Sequence, residues 1–163
     1  MVRIRAATAE DEPFLRAMLY EAAFWDSSET RPPINQALAD PLLARYIEGW
    51  PRAGDAGVIA VDEGARPVGA AWYRLFSAEA PGYGYTGPTT PEVGIAVAAE
   101  HRGKGIGGLL LGALLRTARE AGMASLSLSV AQGNHAVHLY EKHGFQKLAV
   151  QGGSWTMRVD VGI

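Results

Sequence analysis

The sequence predicts an α/β fold in which a mixed, mostly antiparallel central sheet of about seven strands is flanked by about four helices. Strand-like alternation and helical periodicity follow one another along the chain in the order βααβββαβαββ. Two extended runs flank the turn "DEGARP", which indicates an antiparallel hairpin, and only two helices separate strands in the second half. The chain of 163 residues is expected to form a single domain over residues 1–163.

The first half reads as a strand, two helices and the hairpin. Val2 to Arg5 alternates apolar and basic residues, and Thr8 then precedes a segment whose apolar residues recur at helical spacing. A second helix is expected from Asn35 to Ile47, where leucines recur at similar intervals. Val58 to Val61 and Val68 to Phe76 are the hairpin strands.

The second half begins with a long loop from Ser77 to Thr90 and then a strand with one nearly bare face. Val93, Ile95 and Val97 alternate there with glycine and alanine, so something can approach the bare face closely. The remaining elements are a helix from Ile106 to Glu120, a strand around Leu126 to Val130, a short helix from Asn134 to Lys142, and two strands from Phe145 onward.

Composition excludes several classes of function. A formal net charge of -2 gives no basic field for a nucleic-acid backbone, so we expect no nucleic-acid partner. The chain has no cysteine, which removes disulfides, thiolate nucleophiles and cysteine-type zinc sites. The N-terminus lacks a signal-peptide core, and the longest apolar run, Leu109 to Leu115, is too short for a membrane span. We therefore expect a cytoplasmic protein with no membrane partner.

The turn "RGKGIGG", from Arg102 to Gly108, lies between a predicted strand and a predicted helix. The first turn of a helix has unpaired backbone amides and the positive end of the helix dipole. Glycines there permit positive φ and leave room for a phosphate, while Arg102 and Lys104 add positive charge. The turn therefore predicts an anion site, with tight packing of the helix on its sheet as the alternative.

Two nucleotide-binding motifs can be compared with this turn. Gly103, Gly105 and Gly108 satisfy G-x-G-x-x-G, the dinucleotide fingerprint, but the turn follows a hairpin in mid-chain. The acidic residue expected near the end of the next strand is missing from "VAQGN", residues 130–134. A dinucleotide-binding oxidoreductase is therefore a lesser alternative, and a Walker loop is excluded because no G-K-[ST] occurs.

Two motifs in order give the chain a family resemblance. Arg102, Gly105 and Gly107 fit [RQ]-x-x-G-x-[GA], and the segment "NHAVHLYEKHGF" is similar to an Asn...Leu-Tyr-x-x-x-Gly-Phe element. The chain resembles the GNAT superfamily of acyl-CoA-dependent N-acetyltransferases over nearly its whole length. It departs from the family pattern in "AAEHR", where a proline often precedes the arginine. The residues that match the second element are Asn134, Leu139, Tyr140, Gly144 and Phe145.

The resemblance implies that acetyl-CoA is the cosubstrate and that its acetyl group passes directly to the primary amine of a small acceptor in a ternary complex. It also implies that the pantetheine arm pairs with the strand at Ile95, Ala96 and Val97. A non-catalytic acyl-CoA-binding module on the same fold is the alternative. The residues expected at the pyrophosphate and around the cofactor are Arg102, Gly103, Lys104, Gly105, Ile106, Gly107 and Asn134.

Attack of an amine on a thioester needs a base for the ammonium and an acid for the leaving thiolate. Tyr140 matches the family position that often supplies the acid, with an ordinary half-buried tyrosine as the alternative. Glu92 opens the cofactor strand, where relatives often place a base that acts directly or through water, with a solvated carboxylate as the alternative; whether Glu92 or a water chain is the base stays open. His135 and His138 share a helix but have no visible third ligand, so no metal site is expected.

Aromatic residues suggest where the acceptor binds. Trp25, Tyr83 and Tyr85 are candidates for the wall of an acceptor pocket, and Trp72 and Tyr73 are further aromatics that core packing would also explain. The long glycine- and proline-containing loop joins the hairpin to the cofactor strand, so we expect it to form part of the acceptor site. A mobile tether or a homodimer contact is the alternative role for the loop. The acceptor, the acyl chain and the oligomeric state stay open.

Overall fold

The computed structural model describes residues 1–26 and 29–162 and confirms the predicted fold class. Among these residues there are seven strands and five α-helices, with 3₁₀ turns at Ala9–Asp11 and Ala99–His101. In chain order the elements are β1 (Arg3–Ala6), α1 (Glu12–Ala23), α2 (Ile34–Ala37), α3 (Pro41–Ala44), β2 (Ala56–Val61), β3 (Pro67–Arg74), β4 (Glu92–Val97), α4 (Ile106–Glu120), β5 (Ser125–Ala131), α5 (Ala136–Lys142), β6 (Gln146–Gln151) and β7 (Ser154–Asp160).

The strands form one sheet in the order β1-β2-β3-β4-β5-β7-β6. All neighbouring pairs are antiparallel except β4 and β5, which are parallel. β3 pairs with β4 along its length and β5 pairs with β7 along its length, but β4 and β5 are joined only at Glu92 and Ser127. The sheet therefore consists of two regular halves that separate beyond a single point of contact.

Helices cover both faces of the sheet. On one face, α4 buries Leu110, Leu111 and Leu114 in a core that extends to α5 and to the strands. On the other face, α1 and the segment after α3 bury a second core around Ile47 and Trp72. Full burial of such side chains contributes about 1.5–3 kcal/mol each, so the two cores hold the two sheet halves in place.

The expected helix from Asn35 to Ile47 is wrong. The segment contains two one-turn helices, α2 and α3, which are separated at Asp40. Pro41 disfavours helical geometry at the preceding residue, and Asp40 is extended, with its carboxylate accepting a hydrogen bond of 2.9 Å from the Leu42 amide. Leu38 and Ile47 are buried whereas Leu42 is 52% exposed, so the apolar spacing does not correspond to one face of a continuous helix.

The bare face of β4 is occupied by the protein itself. A Cβ atom added at Gly94 would lie 2.7 Å from the indole of Trp72, so the glycine makes room for this fully buried ring. The Trp72 Nε1–H donates to the Tyr46 carbonyl at 3.1 Å. At Gly94, the close approach that the bare face permits is therefore made by Trp72.

A buried ion pair fixes the segment after α3 to the end of β3. Arg74 and Asp55 are 1% and 2% exposed, with 2.6 Å between Nη2 and Oδ2. Arg74 Nη1 also donates to the carbonyl oxygens of Arg45 and Glu48, at 2.9 and 2.6 Å. The guanidinium therefore positions residues 45–48 against the sheet.

Replacing Asp55 with alanine should lower the free energy of unfolding by about 3–5 kcal/mol, because a buried guanidinium then loses its counter-charge. Urea denaturation followed by circular dichroism measures the change. Arg66→Ala is the matched control, since Arg66 pairs with Asp62 at an 83% exposed position and should leave the midpoint nearly unchanged. Equal midpoints for wild type and Asp55→Ala would show that the ion pair does not hold this segment.

Candidate functional site

A large cleft opens where β4 and β5 separate. Its volume is about 1580 Å³, above the roughly 300–1,000 Å³ of a pocket for one drug-sized ligand. Its walls come from β4, the turn before α4, β5, α5 and the segments around Trp25, Tyr46 and Tyr83. A single ligand in this cleft can therefore contact elements from both halves of the chain.

The cleft side of β4 presents a strand edge. The Ala98 amide donates to the Val68 carbonyl at 2.8 Å, so antiparallel alternation assigns the backbone groups of Ala96 and Gly94 to β3. Those of Ile95 and Val97 then point toward the cleft. The Val97 carbonyl accepts a hydrogen bond of 2.9 Å from Arg102 Nε, which leaves Ile95 at the centre of an edge that an extended ligand can pair with.

The glycine turn leads into the first turn of α4, a helix of 15 residues. Gly105 caps the helix with φ of +81°, and Gly103 has φ of +76°, so both occupy the left-handed region that favours glycine. A Cβ atom at either position would meet no atom within 4 Å, so the space beside the helix amides is open. Gly107 instead has ordinary φ, and a Cβ there would lie 3.2 Å from Leu139. The packing alternative therefore applies to Gly107.

Of the two basic residues in this turn, only Arg102 lines the cleft. Arg102 lines the cleft, but its guanidinium is 2.9 Å from Glu21 Oε1, and Glu21 also pairs with Arg31 at 3.0 Å. Lys104 is not among the cleft-lining residues. Glu21 supplies one negative charge for two arginines, so Arg102 is held in an ion pair, and the helix amides add to the positive character of the turn.

Glu92 lies at the point where the two sheet halves meet and lines the cleft. The carboxylate is 2% exposed, so the alternative of a solvated carboxylate is wrong. Tyr46 donates its hydroxyl hydrogen bond to Oε2, while Oε1 has no hydrogen-bond partner among the described residues. Burial raises the pKa of Glu92 to about 7, against the opposing effects of the Tyr46 hydrogen bond, the Gly84 amide and the Arg45 charge. Glu92 can therefore exchange a proton near neutral pH.

Sequence reasoning missed Tyr46. Its hydroxyl donates to Glu92 and accepts a hydrogen bond of 2.8 Å from the Tyr83 amide, so it joins the carboxylate to the long loop. Burial, followed by the nearby Glu92 charge, raises the pKa of Tyr46 well above its ordinary range and keeps the hydroxyl protonated. The only sequence signal was an apolar position in a helix-like pattern, which gives no indication of a contact with Glu92.

Tyr140 and Asn134 come to the cleft with α5. Tyr140 lines the cleft at 8% exposure, and its ring packs edge-on against Phe145 with 5.9 Å between centroids. Burial raises the pKa of Tyr140 above its ordinary range, and its hydroxyl has no hydrogen-bond partner among residues 1–26 and 29–162. Asn134 also lines the cleft, and its Oδ1 accepts a hydrogen bond of 2.9 Å from the Ala136 amide at the start of α5.

Two of the three aromatic residues expected at the acceptor site line the cleft. Trp25 and Tyr83 line the cleft, whereas Tyr85 is not among its lining residues. Tyr83 is 50% exposed, and its ring stacks on Tyr46 with 6.2 Å between centroids. Trp72 and Tyr73 are fully buried in the two cores. The remaining cofactor candidates that line the cleft are Ile95, Ala96, Val97, Gly103, Gly105, Ile106 and Gly107.

Two further properties concern the described part of the chain. No group of three or more histidine, cysteine or acidic side chains within it is arranged to hold a metal ion. None of its helices combines the length and the apolar character needed to cross a membrane.

Comparisons with known proteins place this cleft in a family context. The model of the Acetyltransferase (GNAT) family matches residues 17–145. A [Ribosomal protein bS18]-alanine N-acetyltransferase from Haemophilus influenzae is 40% identical over 57 residues, which are 35% of this chain and only 39% of that relative.

Solved structures extend the match to the whole sheet. A ribosomal-protein-alanine N-acetyltransferase from Brucella melitensis is 27% identical, with a TM-score of 0.66 over 97% of this chain and 99% of the other. A GNAT superfamily phosphinothricin acetyltransferase from Sinorhizobium meliloti in complex with AcCoA is 20% identical, with a TM-score of 0.67 over 99% of this chain and 89% of the other. The second likeness is one of fold alone.

The pKa of Glu92 predicts a pH-dependent stability. Its folded value of about 7 lies above the ordinary 4.5, so its contribution is fully present below about pH 4.5 and is lost as pH rises through about 7. The unfolding free energy of wild type relative to Glu92→Gln should fall by about 3 kcal/mol between pH 4.5 and 8, measured by urea denaturation. The contribution of Asp11, whose pKa the hydrogen bond from Arg5 lowers, is common to both proteins and cancels. A difference that does not vary with pH would show that the pKa of Glu92 is not raised in the folded protein.

Proposed function

Because the chain belongs to the Acetyltransferase (GNAT) family, whose model matches residues 17–145, we propose that it is an N-acetyltransferase. The proposed reaction moves the acetyl group of acetyl-CoA to the primary amine of a small acceptor within a ternary complex. The observation that carries the proposal is the unpartnered, buried Glu92 oxygen at the inner end of a cleft whose other end is the amide-lined turn before α4. The one cleft thus offers an anion site and a proton acceptor for the two substrates.

The cleft fits acetyl-CoA by its chemistry. The left-handed Gly103 and Gly105 leave the first amides of α4 open, and those amides would hold the pyrophosphate. The edge at Ile95 would pair with the amide groups of the pantetheine arm. The phosphinothricin acetyltransferase from Sinorhizobium meliloti, which has the same fold, is described in complex with AcCoA, and this supports acetyl-CoA as the cosubstrate.

Glu92 is proposed to prepare the amine. With a pKa of about 7, a substantial fraction of its carboxylate is ionised near neutral pH, and the unpartnered Oε1 can accept a proton from the incoming ammonium. The neutral amine then forms the new C–N bond to the thioester carbon, and the C–S bond breaks. Tyr46 holds the other oxygen of the carboxylate and so keeps Oε1 turned away from it.

Tyr140 is proposed to protonate the departing thiolate. Burial raises its pKa and so keeps the hydroxyl protonated, and the hydroxyl makes no competing hydrogen bond within the described residues, so its proton is available as the C–S bond breaks. Glu92 takes the first proton of the ammonium. Nitrogen loses a second proton once the C–N bond has formed, and this proton replaces, through solvent, the one that Tyr140 gives to sulfur. Glu92 then releases its own proton to solvent, so one proton is released for each acetyl group transferred.

A non-catalytic acyl-CoA-binding module is the second candidate on the same fold. Such a module would use the glycine turn and the β4 edge but would have no use for a proton acceptor at Glu92. Oxidoreductase activity finds no support, because the matched family transfers acetyl groups.

The test measures free thiol released from acetyl-CoA with a panel of amines, together with the Kd for acetyl-CoA. We expect the wild-type protein to release thiol, and Tyr140→Phe to lower kcat by about 100-fold with little change in Kd, because the lost hydroxyl acts in the transition state. Tyr73→Phe is the matched control, since Tyr73 is a fully buried tyrosine outside the cleft lining.

Two results would contradict this account in different ways. Thermal stabilisation by acetyl-CoA without thiol release from any amine would favour the binding module. A loss confined to the Kd of Tyr140→Phe would make Tyr140 a binding contact.

A further inference from the structure

The cleft contains an arginine whose charge is not neutralised. Arg45 and Arg102 are the arginines in its lining, and no lysine lines it within the described part of the chain. Arg102 is paired with Glu21. The Arg45 guanidinium, by contrast, makes no hydrogen bond or ion pair with any described residue, and its Nε is buried without a partner.

Aromatic rings fix the position of this guanidinium. Its Cζ atom lies 4.7 Å from the ring centre of Tyr83 and 5.6 Å from that of Tyr46. Neither of these cation–π contacts is a hydrogen bond, so they leave the N–H donors of the guanidinium available. Because Tyr46 also holds Glu92, the free donors of Arg45 and the free oxygen of Glu92 are positioned by the same side chain.

The acidic residues of the cleft do not neutralise Arg45. Asp40 lines the cleft and caps the Leu42 amide, but no ion pair joins it to Arg45. Glu21 is shared between Arg31 and Arg102. Glu92 is close enough for the Arg45 charge to lower its pKa, yet it accepts its hydrogen bond from Tyr46.

A buried donor without an acceptor costs free energy, and most such groups in native proteins have a partner. A planar guanidinium with free N–H groups matches the two oxygens of a carboxylate. An anionic group on a ligand that enters the cleft beside Tyr83 and Glu92 would supply this missing partner.

We propose that the acceptor is a free amino acid, with its amine at Glu92 Oε1 and its carboxylate at Arg45. This inference rests on the proposed acetyl transfer and specifies its substrate class. In a free amino acid the amine and the carboxylate are separated by one carbon atom. This short separation suits Glu92 and Arg45, because both side chains contact Tyr46. The N-terminal amine of a protein lacks this adjacent carboxylate and would leave Arg45 unpartnered.

The first experiment compares the protein amino acids with their carboxamides, and with tripeptide amides, as acceptors in the thiol-release assay. We expect kcat/KM for the best amino acid to exceed that of its carboxamide by about 10- to 100-fold, and Arg45→Gln to remove this preference. Comparing the ratio in both proteins cancels the different amine pKa values of acid and amide. Arg45→Lys should restore part of the preference, and Arg66→Gln, on the exposed β2–β3 turn, should retain all of it.

The second experiment needs no turnover. With coenzyme A saturating, calorimetry compares binding of N-acetyl amino acids with that of their carboxamides, which mimic the reaction product with and without the negative charge. The acids should bind about 10- to 100-fold more tightly to wild type and equally to Arg45→Gln.

The outcomes separate this inference from the proposed function. Thiol release with carboxamides or tripeptide amides as readily as with amino acids would overturn the inference and leave acetyl transfer intact. Tighter binding of the acids without thiol release from any amine would support the Arg45 site and overturn acetyl transfer. Equal binding of acids and carboxamides to wild type would overturn the Arg45 site directly.

Discussion

The single pairing between Glu92 and Ser127 is the constraint on which the rest of the site depends. On either side of it the strands are fully paired, β4 with β3 and β5 with β7, so neither half of the sheet can close the gap by changing its own register. The gap leaves backbone groups of β4 without strand partners and makes them available to a ligand. The same gap brings the start of α4 and the side chains of α5 into the lining of one cleft.

The chemistry of the inner end follows from what is packed around Glu92. The long loop passes so close that a Cβ atom at Gly84 would lie 2.5 Å from the Leu128 backbone, and one at Gly82 would collide with the Glu92 carboxylate. This close approach buries Glu92, and burial raises its pKa, while Tyr46 donates a hydrogen bond to Oε2. The backbone at Tyr46 is fixed in turn, because Trp72 donates a hydrogen bond to the Tyr46 carbonyl and Arg74 donates one to the adjacent Arg45 carbonyl. Stability and proposed function therefore share the same contacts.

Patterns within short segments of the sequence predicted those elements whose conformation depends on neighbouring residues in the chain. The helix Ile106–Glu120 was predicted with its observed bounds, because apolar periodicity and a glycine start coincide there. The left-handed conformation of Gly103 and Gly105 was predicted from the same short turn. The contribution of Tyr46 could not be predicted, since it lies 46 residues from Glu92 in the chain and meets it only across the folded sheet.

Contacts between residues far apart in the chain also explain what the sequence did not predict about β4, Glu92 and Arg45. The strand pattern of β4 showed a bare face but could not show that Trp72 fills it. Glu92 after Pro91 looks like a surface carboxylate until the loop is folded over it. Arg45 carried no motif at all, and its importance comes from the absence of a partner among the described residues, which only the structure reveals.

Amide hydrogen exchange at Ile95, measured by NMR with and without coenzyme A, tests the central claim most directly. Ile95 presents its backbone to the cleft, whereas Ala96 next to it is assigned to β3, so Ala96 is an internal reference for general stabilisation. If the open edge of β4 receives the pantetheine arm, coenzyme A should slow exchange at Ile95 at least about tenfold more than at Ala96. Equal slowing at both residues, in a protein that binds coenzyme A, would contradict the claim that the gap between β4 and β5 is the cofactor site.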